Sequence, residues 1–383
     1  MKKKALIIGI IGIFLHIQPM SAQTWEKTKR LTWNIGLSSH QKIATDSNGH
    51  IHVVWQDNSP GNNEIYYKRS SNGGITWSLK RLTMTSGSSI HPAVAVDASD
   101  NIHVSWVDQT TGNYEIYYKR SMNAGATWGG TKRITWNSGH SVEPAIATKS
   151  NNVHLVWHDN PTGNYEIYYK RSTNAGGTWG GTKRITWNAG DSSYSSIAGD
   201  SGSNIHVVWE DNTPGNMEIY YKKSTNGGVN WGKFKRLAWS SGASTSPKIT
   251  VDSSDGISLV WSDDTPGNKE IYYRRSTSGG VTWSSTKRLT WNSGASAGPA
   301  ITVDSSNGIY IVWYDDTPGR HEIYYKRSTN SGETWGGFKR LTWNSEWGEF
   351  YPDFALDSSN TIHVVWHDGD HGNTEIYYKK GGQ

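Results

Sequence analysis

Paired carboxylates recur along this 383-residue chain at a constant separation. An aspartate and a glutamate stand seven residues apart in seven similar segments: Asp57 with Glu64, Asp108 with Glu115, Asp159 with Glu166, Asp211 with Glu218, Asp263 with Glu270, Asp315 with Glu322, and Asp368 with Glu375. Two facing carboxylates can serve as the acid and base of a glycosidase. An enzyme needs one polarised site, however, and identical pairs in every copy more simply fix hairpins and pair with neighbouring Lys-Arg dipeptides.

Aromatic and polar residues that suit sugar recognition accompany each pair. Trp209, Asp211, Asn216, Glu218 and Trp239 fall near one end of one repeat, and similar sets return in the others. A tryptophan face can stack on a sugar ring while carboxylates and amides bind its hydroxyls, so we predict a ligand site here. Repeated weak sites suit a lectin, because simultaneous contacts raise avidity. The competing interpretation buries most of these tryptophans, because exposing them would create a large apolar patch.

Residues 345–353 break the repetition most strongly. This segment brings together Glu346, Trp347, Glu349, Tyr351 and Asp353, which we add to the predicted ligand-binding residues. Smaller departures are His91, His140 with Glu143, Asp191 with Tyr194, and Arg320 with His321; the lone loop arginine Arg320 also joins the predicted set. A single special site is expected where a repeat fails, although exposed loops also vary without a functional cause.

The elements that carry these residues form a sevenfold repeat. A Trp-x-Asp marker returns at intervals of 51 to 53 residues, at Trp55, Trp106, Trp157, Trp209, Trp261, Trp313 and Trp366. Each unit holds four strand-like segments rich in Val, Ile, Thr, Tyr and Trp, as at residues 92–97, 102–108, 115–119 and 132–136. This pattern predicts an all-β, seven-bladed β-propeller with four antiparallel strands per blade.

The two ends of the chain predict how the ring closes. Residues 29–33 supply a fourth strand before any first strand has appeared, while the last unit stops after its third strand, at Tyr378. We therefore expect the N-terminal strand to complete the last blade and leave no open sheet edge. Residues 23–383 are predicted to be a single propeller domain.

Residues 1–22 resemble a secretory signal peptide. Three lysines precede an apolar run over residues 5–17, and Ser21 and Ala22 form a small-residue exit. The run is too short for a membrane span, which needs about 20 residues. Without this segment the chain carries 35 basic and 33 acidic residues, a net charge of +2 without a basic patch. We therefore predict a secreted, periplasmic or cell-surface protein that binds no nucleic acid.

The composition also excludes several kinds of site. The chain has no cysteine, which rules out disulfides, thiol nucleophiles and cysteine-ligated zinc. Histidines occupy one strand position in five repeats, at His52, His103, His154, His206 and His363. With one per repeat they should not converge on a metal, and we expect each to be hydrogen-bonded inside its own unit. We predict no metal and no cofactor.

Six short segments resemble the Asp-box (BNR) repeat of sialidases and related propellers, whose pattern is Ser-x-Asp-x-Gly-x-Thr-Trp. They cover residues 70–77, 121–128, 172–179, 224–231, 276–283 and 328–335. The aspartate position holds Asn in five copies and Ser278 in the other. Either side chain can still accept a turn hydrogen bond. The resemblance implies a sialidase-like propeller whose boxes lie at the periphery of the blades, on the face opposite the ligand site.

The same resemblance implies features that a sialidase should add and that are missing here. A sialidase clamps its substrate carboxylate with three arginines, yet the arginines of this chain are nearly all repetitive and no Arg-Ile-Pro segment stands near the N-terminus. We therefore predict a non-sialidase member that recognises extracellular or cell-surface glycans without catalysis. A glycan-processing enzyme using residues 345–353 is the alternative, and a protein-interaction scaffold is the third.

Overall fold

The chain folds into seven antiparallel sheets arranged as blades around a central channel. The computed structural model describes residues 24–343, 350–369 and 372–381, in which 28 strands form seven four-stranded sheets. The innermost strands of neighbouring blades lie side by side around a closed ring. The predicted seven-bladed propeller is therefore confirmed. The described residues contain no helix long and apolar enough to cross a membrane.

The strands follow the same order in every blade, from the channel outwards. Blade 1 has β2 (Ser38–Thr45), β3 (Ile51–Asp57), β4 (Glu64–Ser70) and β5 (Ser78–Arg81). Blade 2 has β6 (Ser89–Val96), β7 (Ile102–Asp108), β8 (Glu115–Ser121) and β9 (Lys132–Arg133). Blade 3 has β10 (Val142–Lys149), β11 (Asn152–Asp159), β12 (Glu166–Ser172) and β13 (Lys183–Arg184). Blade 4 has β14 (Ser192–Gly199), β15 (Ile205–Asp211), β16 (Glu218–Ser224) and β17 (Lys235–Arg236). Blades 5 and 6 comprise β18 (Ser244–Val251), β19 (Ile257–Asp263), β20 (Glu270–Ser276), β21 (Lys287–Arg288); and β22 (Ser296–Val303), β23 (Ile309–Asp315), β24 (Glu322–Ser328), β25 (Lys339–Arg340).

Blade 7 joins the two ends of the chain. It contains β26 (Phe350–Leu356), β27 (Ile362–Asp368) and β28 (Glu375–Gly381), and β1 (Lys29–Arg30) is its outer strand. Lys29 pairs with Tyr378 in the antiparallel register. The predicted closure by the N-terminal strand is confirmed, so blade 7 has four strands like the other blades and the edge of β28 is covered.

The second strand of each blade forms the core. All of its residues are buried in most blades, as in the run Ile205–Asp211, because both sheet faces pack against neighbouring blades. The expected strand histidines lie inside this layer. His52 shows their pattern, with Nδ1 2.7 Å from the Tyr67 hydroxyl and Nε2 3.3 Å from Asp46 Oδ2.

Aromatic pairs lock neighbouring blades together. The second tyrosine of each Tyr-Tyr pair is buried, and in six blades it meets the tryptophan that ends the 70–77-type loop of the next blade, whereas Tyr325 meets Trp25. The Tyr67 and Trp128 rings, for example, lie 4.9 Å apart edge to face. Gly125 in the same loop has φ = 84°, and a β-carbon there would lie 1.9 Å from the Tyr67 hydroxyl oxygen. Only glycine fits this approach.

The repeated tryptophans fall into three classes of exposure. The seven in second strands are buried and the six in the 70–77-type loops are half-buried. Those that follow fourth strands are exposed to 65–69%: Trp33, Trp136, Trp187, Trp239, Trp291 and Trp343. The interpretation that most repeated tryptophans are buried therefore fails for this third class. These rings stand singly in six of the seven blades, so they form no continuous apolar patch.

The strand order defines two faces of the disc. The hairpin face carries the turns between second and third strands, such as residues 57–64, and the connections between blades, such as residues 82–89. The opposite face carries the turns between first and second strands and the six 70–77-type loops. In the first of these loops Asn72 Oδ1 accepts a 2.9 Å hydrogen bond from the Thr76 amide, so an amide can fulfil the turn-forming role of a carboxylate.

Candidate functional site

An irregularity in each innermost strand builds a ring of side chains at the mouth of the channel on the hairpin face. The pairing of β2 with β3 is regular up to Ser39 and resumes at Lys42, and each other first strand has the same break. The first residue inside the break has a positive φ of 47–57° in every blade. We call these seven residues the bulge ring: His40, His91, Glu143, Tyr194, Ser246, Gly298 and Tyr351.

The backbone of the bulge ring is strained. A left-handed conformation costs a residue with a β-carbon about 1 kcal/mol or more, yet six of the seven positions are not glycine. Many positions of the repeat hold near-identical residues in all blades, whereas this one holds His, Glu, Tyr, Ser and Gly. Strained positions with singular side chains are where a functional site is expected.

Direct contacts join four neighbouring members of the ring. The His40 and His91 rings lie 4.6 Å apart, and His91 Nδ1 lies 2.8 Å from Glu143 Oε1. On the other side His40 stacks on Tyr351 at 6.3 Å. Tyr194 and Tyr351 are each about half exposed, at 50% and 51%. An acid–histidine pair and two accessible phenol rings thus share one mouth.

A second set of variable residues supports the ring from the adjacent strand. These residues stand between the tryptophan and the aspartate of the repeat marker: Gln56, Val107, His158, Glu210, Ser262, Tyr314 and His367. Gln56 Oε1 accepts the His91 amide at 2.9 Å. Glu210 Oε2 likewise accepts the Ser246 amide at 2.8 Å. The strained backbone of the bulge ring is therefore held by side chains that differ from blade to blade.

Charged groups lie deeper in the channel. Lys248 and Lys42 both project from first strands two residues beyond the ring, and Lys248 is attracted by the carboxylates of Asp353, Glu143 and Glu210. Burial and the nearby Lys42 lower the pKa of Lys248 to about 8. Asp353 is half-buried and accepts the Ile43 amide at 3.1 Å. Cations and carboxylates thus meet below the mouth, as in a site for a polar ligand.

A cleft of about 490 Å³ opens beside the ring, between blades 7 and 1. His40, His367 and Phe350 line it together with polar groups that include Ser39 and Asn373. Its size and its aromatic walls with a few polar groups are typical of small-ligand sites. The ring and the cleft share His40, so they form one continuous candidate site.

The two glutamates of the site differ in acidity. Burial opposes the ionisation of Glu143, but the His91 contact and the nearby His158 outweigh it and lower the pKa of Glu143 to about 2. Burial raises the pKa of Glu210, although the Ser246 amide and the Ser193 hydroxyl partly oppose it. Tyr194 is within electrostatic range of both carboxylates. Carboxyl groups whose pKa values diverge in one site can divide the roles of base and acid.

The histidines around the mouth are mostly neutral near pH 7. Burial, reinforced by His91, lowers the pKa of His40 to about 4. Burial also lowers the pKa of His158 to about 4 and that of His367 to about 3. Neutral imidazoles can accept or donate a hydrogen bond to a sugar hydroxyl. Among the described residues, no three His, Asp or Glu side chains form a group that could hold a metal ion.

The repeated ligand set predicted from the sequence is divided between a buried and an exposed part. Trp209, Asp211 and Glu218 are buried, and Asn216 is half-buried. The Ser192 hydroxyl donates to Asp211 Oδ2 at 2.8 Å, and Arg236 Nη2 lies 2.7 Å from Glu218 Oε1. The other blades repeat these contacts, which gives the carboxylates the structural role expected of them. Trp239 alone among the five predicted residues is exposed.

The predicted ligand-binding residues outside the repeated set lie in different parts of the molecule. Glu346, Trp347 and Glu349 lie outside the described residues. Tyr351 belongs to the bulge ring and Asp353 lies in the channel beneath it. Arg320 is exposed on a hairpin of blade 6, and the neighbouring His321 ring lies 4.6 Å from that of Phe350.

Several site residues escaped the sequence analysis. His40, Lys42, Lys248, Glu210 and His367 were not selected, although His91, Glu143 and Tyr194 were noted as departures from the repeat. Aligning the seven units on the Trp-x-Asp marker shows that variation concentrates at the bulge position and at the marker's middle residue. This variation can be read from the sequence, but the sequence does not show the bulge that brings the two positions together in the fold.

Comparisons with known proteins identify the fold. No protein-family model and no curated protein matches the sequence. Solved structures do match, with a TM-score of 0.62 and 13% identity for a protein of unknown function from Dyadobacter fermentans, covering 94% of this chain and 99% of that one. A polysaccharide lyase of family PL25, an ulvan lyase bound to a glucuronate–sulfated rhamnose unit, gives a TM-score of 0.61 at 12% identity over 93% and 95% of the two chains. A Hadza microbial sialidase gives 0.52 at 14% identity over 88% and 74%. At 12–14% identity these likenesses show a shared propeller fold.

Proposed function

We propose that this protein is an extracellular carbohydrate-active propeller that binds a glycan at the channel mouth and cleaves it. One observation carries the proposal: the singular polar residues of an otherwise repetitive chain converge on a single mouth, beside a cleft large enough for a sugar unit. A lectin with seven equivalent sites would need no such convergence. The structural neighbours support a glycan as ligand, because they include a lyase bound to a uronate-containing unit and a sialidase.

Proton transfer at the mouth is assigned to the two glutamates. Glu143 is ionised throughout the physiological range and its side chain is partly exposed, so it acts as the base, with His91 orienting it. It takes a proton from the attacking water in hydrolysis, or from the ring carbon next to the carboxylate in elimination. Glu210 has the raised pKa and acts as the acid that protonates the departing glycosidic oxygen. Tyr194 and Tyr351 offer exposed rings and hydroxyls to the sugar.

The test is a cleavage assay with a matched control. The purified chain is incubated with a panel that includes arabinan, ulvan and sialylated oligosaccharides, and products are followed as new reducing ends and as the ultraviolet absorbance of unsaturated uronates. Hydrolysis gives the first signal alone, and elimination gives both. Glu143→Gln should lower the rate by about 10²–10⁴-fold. Glu333→Gln, on an exposed loop of the opposite face, should leave it unchanged.

Two outcomes would contradict the proposal. Binding without any product would favour the noncatalytic lectin, which the six exposed tryptophans support as the second candidate. A Glu143→Gln variant that cleaves at the wild-type rate would remove the catalytic role of the channel mouth.

The remaining assignments extend from the same resemblance. We propose that the six 70–77-type loops are Asp-box loops in which an amide or hydroxyl replaces the carboxylate, as the Asn72 hydrogen bonds support. We also propose that residues 1–22 direct secretion, so that the partners of the protein are extracellular or cell-surface glycans. Mass spectrometry of the secreted chain would test this by the position of its N-terminal residue.

A further inference from the structure

The six exposed tryptophans form a second, separate feature of the hairpin face. Each follows the fourth, outermost strand of its blade, so the six rings stand around the rim of the propeller and away from the channel. An exposure of about two thirds leaves at least one ring face open to solvent. Tryptophan is usually well buried, so six equivalent exposed rings need an explanation.

Each ring lies beside a groove between two blades and is held by cations. The guanidinium carbon of Arg133 lies 5.8 Å from the Trp136 ring centroid, and Lys170 Nζ, from the next blade, lies 5.4 Å from it. Lys170 also donates to the Ile134 carbonyl at 2.8 Å. The same arrangement of arginine and lysine surrounds Trp33, Trp187, Trp291 and Trp343. Cations from two neighbouring blades therefore contact these rings.

The cations of each groove are engaged within the protein. Arg133 Nη2 lies 2.8 Å from the buried Glu115 Oε1, and Lys170 is itself buried, with its ammonium on the Ile134 carbonyl. The most exposed group that a ligand meets at this rim is therefore the aromatic ring. Stacking on the ring should dominate binding, with little dependence on salt.

The spacing of the rings decides what kind of ligand fits. A stable protein interface buries about 800 Å² on each partner. One aromatic side chain supplies at most about 250 Å², and the next ring is a whole blade away. A long flexible polymer can instead touch several rings in turn, and repeated weak contacts add to a high avidity. Uncharged sugar rings present the flat apolar faces that a tryptophan can stack on.

We propose that the tryptophan rim is an auxiliary binding site for a neutral polysaccharide, engaged at several blades at once and distinct from the channel mouth. The proposal shares with the proposed function the premise that the ligand is a glycan. It differs in its place, in its repetition and in needing no proton transfer.

One blade lacks its ring and provides an internal test. Met84 occupies the position in blade 1, and the groove there contains a cavity of about 310 Å³ lined by Trp106, Tyr117 and Lys119, among others. Lys119 Nζ donates to the Leu82 carbonyl at 2.8 Å, as its counterparts do in other blades. The groove is therefore complete except for the tryptophan, and Met84→Trp should add a seventh platform.

The experiment is affinity electrophoresis in native gels that contain hydroxyethylcellulose, arabinan, galactan or mannan. Replacing Trp136, Trp187 and Trp239 together by Ala should raise the dissociation constant obtained from the retardation by at least about tenfold, in each gel that retards the wild type. Met84→Trp should strengthen it. The matched control replaces Ile75, Val229 and Val281, exposed apolar residues of the opposite face, by Ala and should change nothing.

Charge is tested with carboxymethylcellulose, which has the same backbone as hydroxyethylcellulose but carries carboxylates. The proposal expects no preference for it and no loss of binding in high salt. It is overturned if no neutral polysaccharide retards the wild type, if the triple tryptophan variant binds normally, or if only the charged polymer binds. Thermal unfolding shows whether the triple variant is folded. If it is not, the stronger retardation expected of Met84→Trp still tests the proposal.

The two proposals can fail independently. If the wild type cleaves no substrate, while both it and Glu143→Gln are retarded in the gels, the rim site stands and the proposed enzyme activity is wrong. Cleavage that continues in a chain without rim binding removes the rim site alone.

Discussion

At the residue scale, the proposed site consists of residues that vary between the blades. The carboxylates of the seven hairpins could be recognised as structural from the sequence, because seven identical pairs do not build one polarised site, and the Glu218–Arg236 contact bears this out. The exposure of Trp239 could not be predicted in the same way. Trp239 and Trp209 both recur once per repeat, so the sequence pattern does not distinguish them. Only the packing of neighbouring blades exposes the Trp239 ring and buries the Trp209 ring.

The acidity of the two channel glutamates predicts the pH dependence of cleavage. Glu143 is ionised above a pKa of about 2, whereas Glu210 must keep its proton, so the rate should fall as the pH rises through the raised pKa of Glu210. Glu210→Gln should lower kcat/KM by about 10²–10⁴-fold at acidic pH and abolish this alkaline limb. A pH–rate profile of both chains measures the effect. An unchanged alkaline limb in the variant would assign it to another group.

At the element scale, the sequence predicts strand order better than strand length. The fourth strands were expected to run over five residues, as at 132–136, but Lys132–Arg133 is the paired segment. Beyond it the Thr135 hydroxyl and the Glu115 carboxylate accept backbone amides in place of carbonyl groups. The bulges of the first strands escape prediction for a related reason. Their residues are of five types in seven blades, and hydrogen bonds to the backbone at His91 and Ser246 come from side chains of other strands.

The loops before the fourth strands offer a sharp test of interblade packing. Gly125→Ala combines a positive φ with a clash against the Tyr67 hydroxyl, so it should lower the free energy of unfolding by about 2–4 kcal/mol. Gly130→Ala is the matched control, because a β-carbon there meets nothing within 4 Å. Urea unfolding of the two variants measures the difference. Equal stabilities would mean that the Tyr67 ring moves aside at little cost.

At the scale of the whole molecule, closure of the ring predicts that the seven similar blades unfold as one cooperative unit. A repeat array in which each unit contacts only its neighbours can unfold from its ends. Here the N-terminal strand lies in the last blade, where the Leu31 amide donates to the Ile376 carbonyl at 2.7 Å and Arg30 pairs with the buried Glu375. The channel mouth depends on this closure, because His40 and Tyr351 come from the first and last blades.

Closure can be measured by comparing one buried leucine in two blades. Leu31 in blade 7 and Leu237 in blade 4 occupy equivalent positions and are exposed by only 2% and 3%, so truncation to Ala leaves similar cavities. If blade 7 is held as tightly as a blade built from continuous chain, Leu31→Ala and Leu237→Ala should each cost about 2–5 kcal/mol of unfolding free energy. Both chains should then unfold in one urea transition. A Leu31→Ala chain that loses much less stability, or shows an early separate transition, would mean that the ring opens at blade 7 before the rest of the propeller unfolds, and that the channel mouth is dismantled with it.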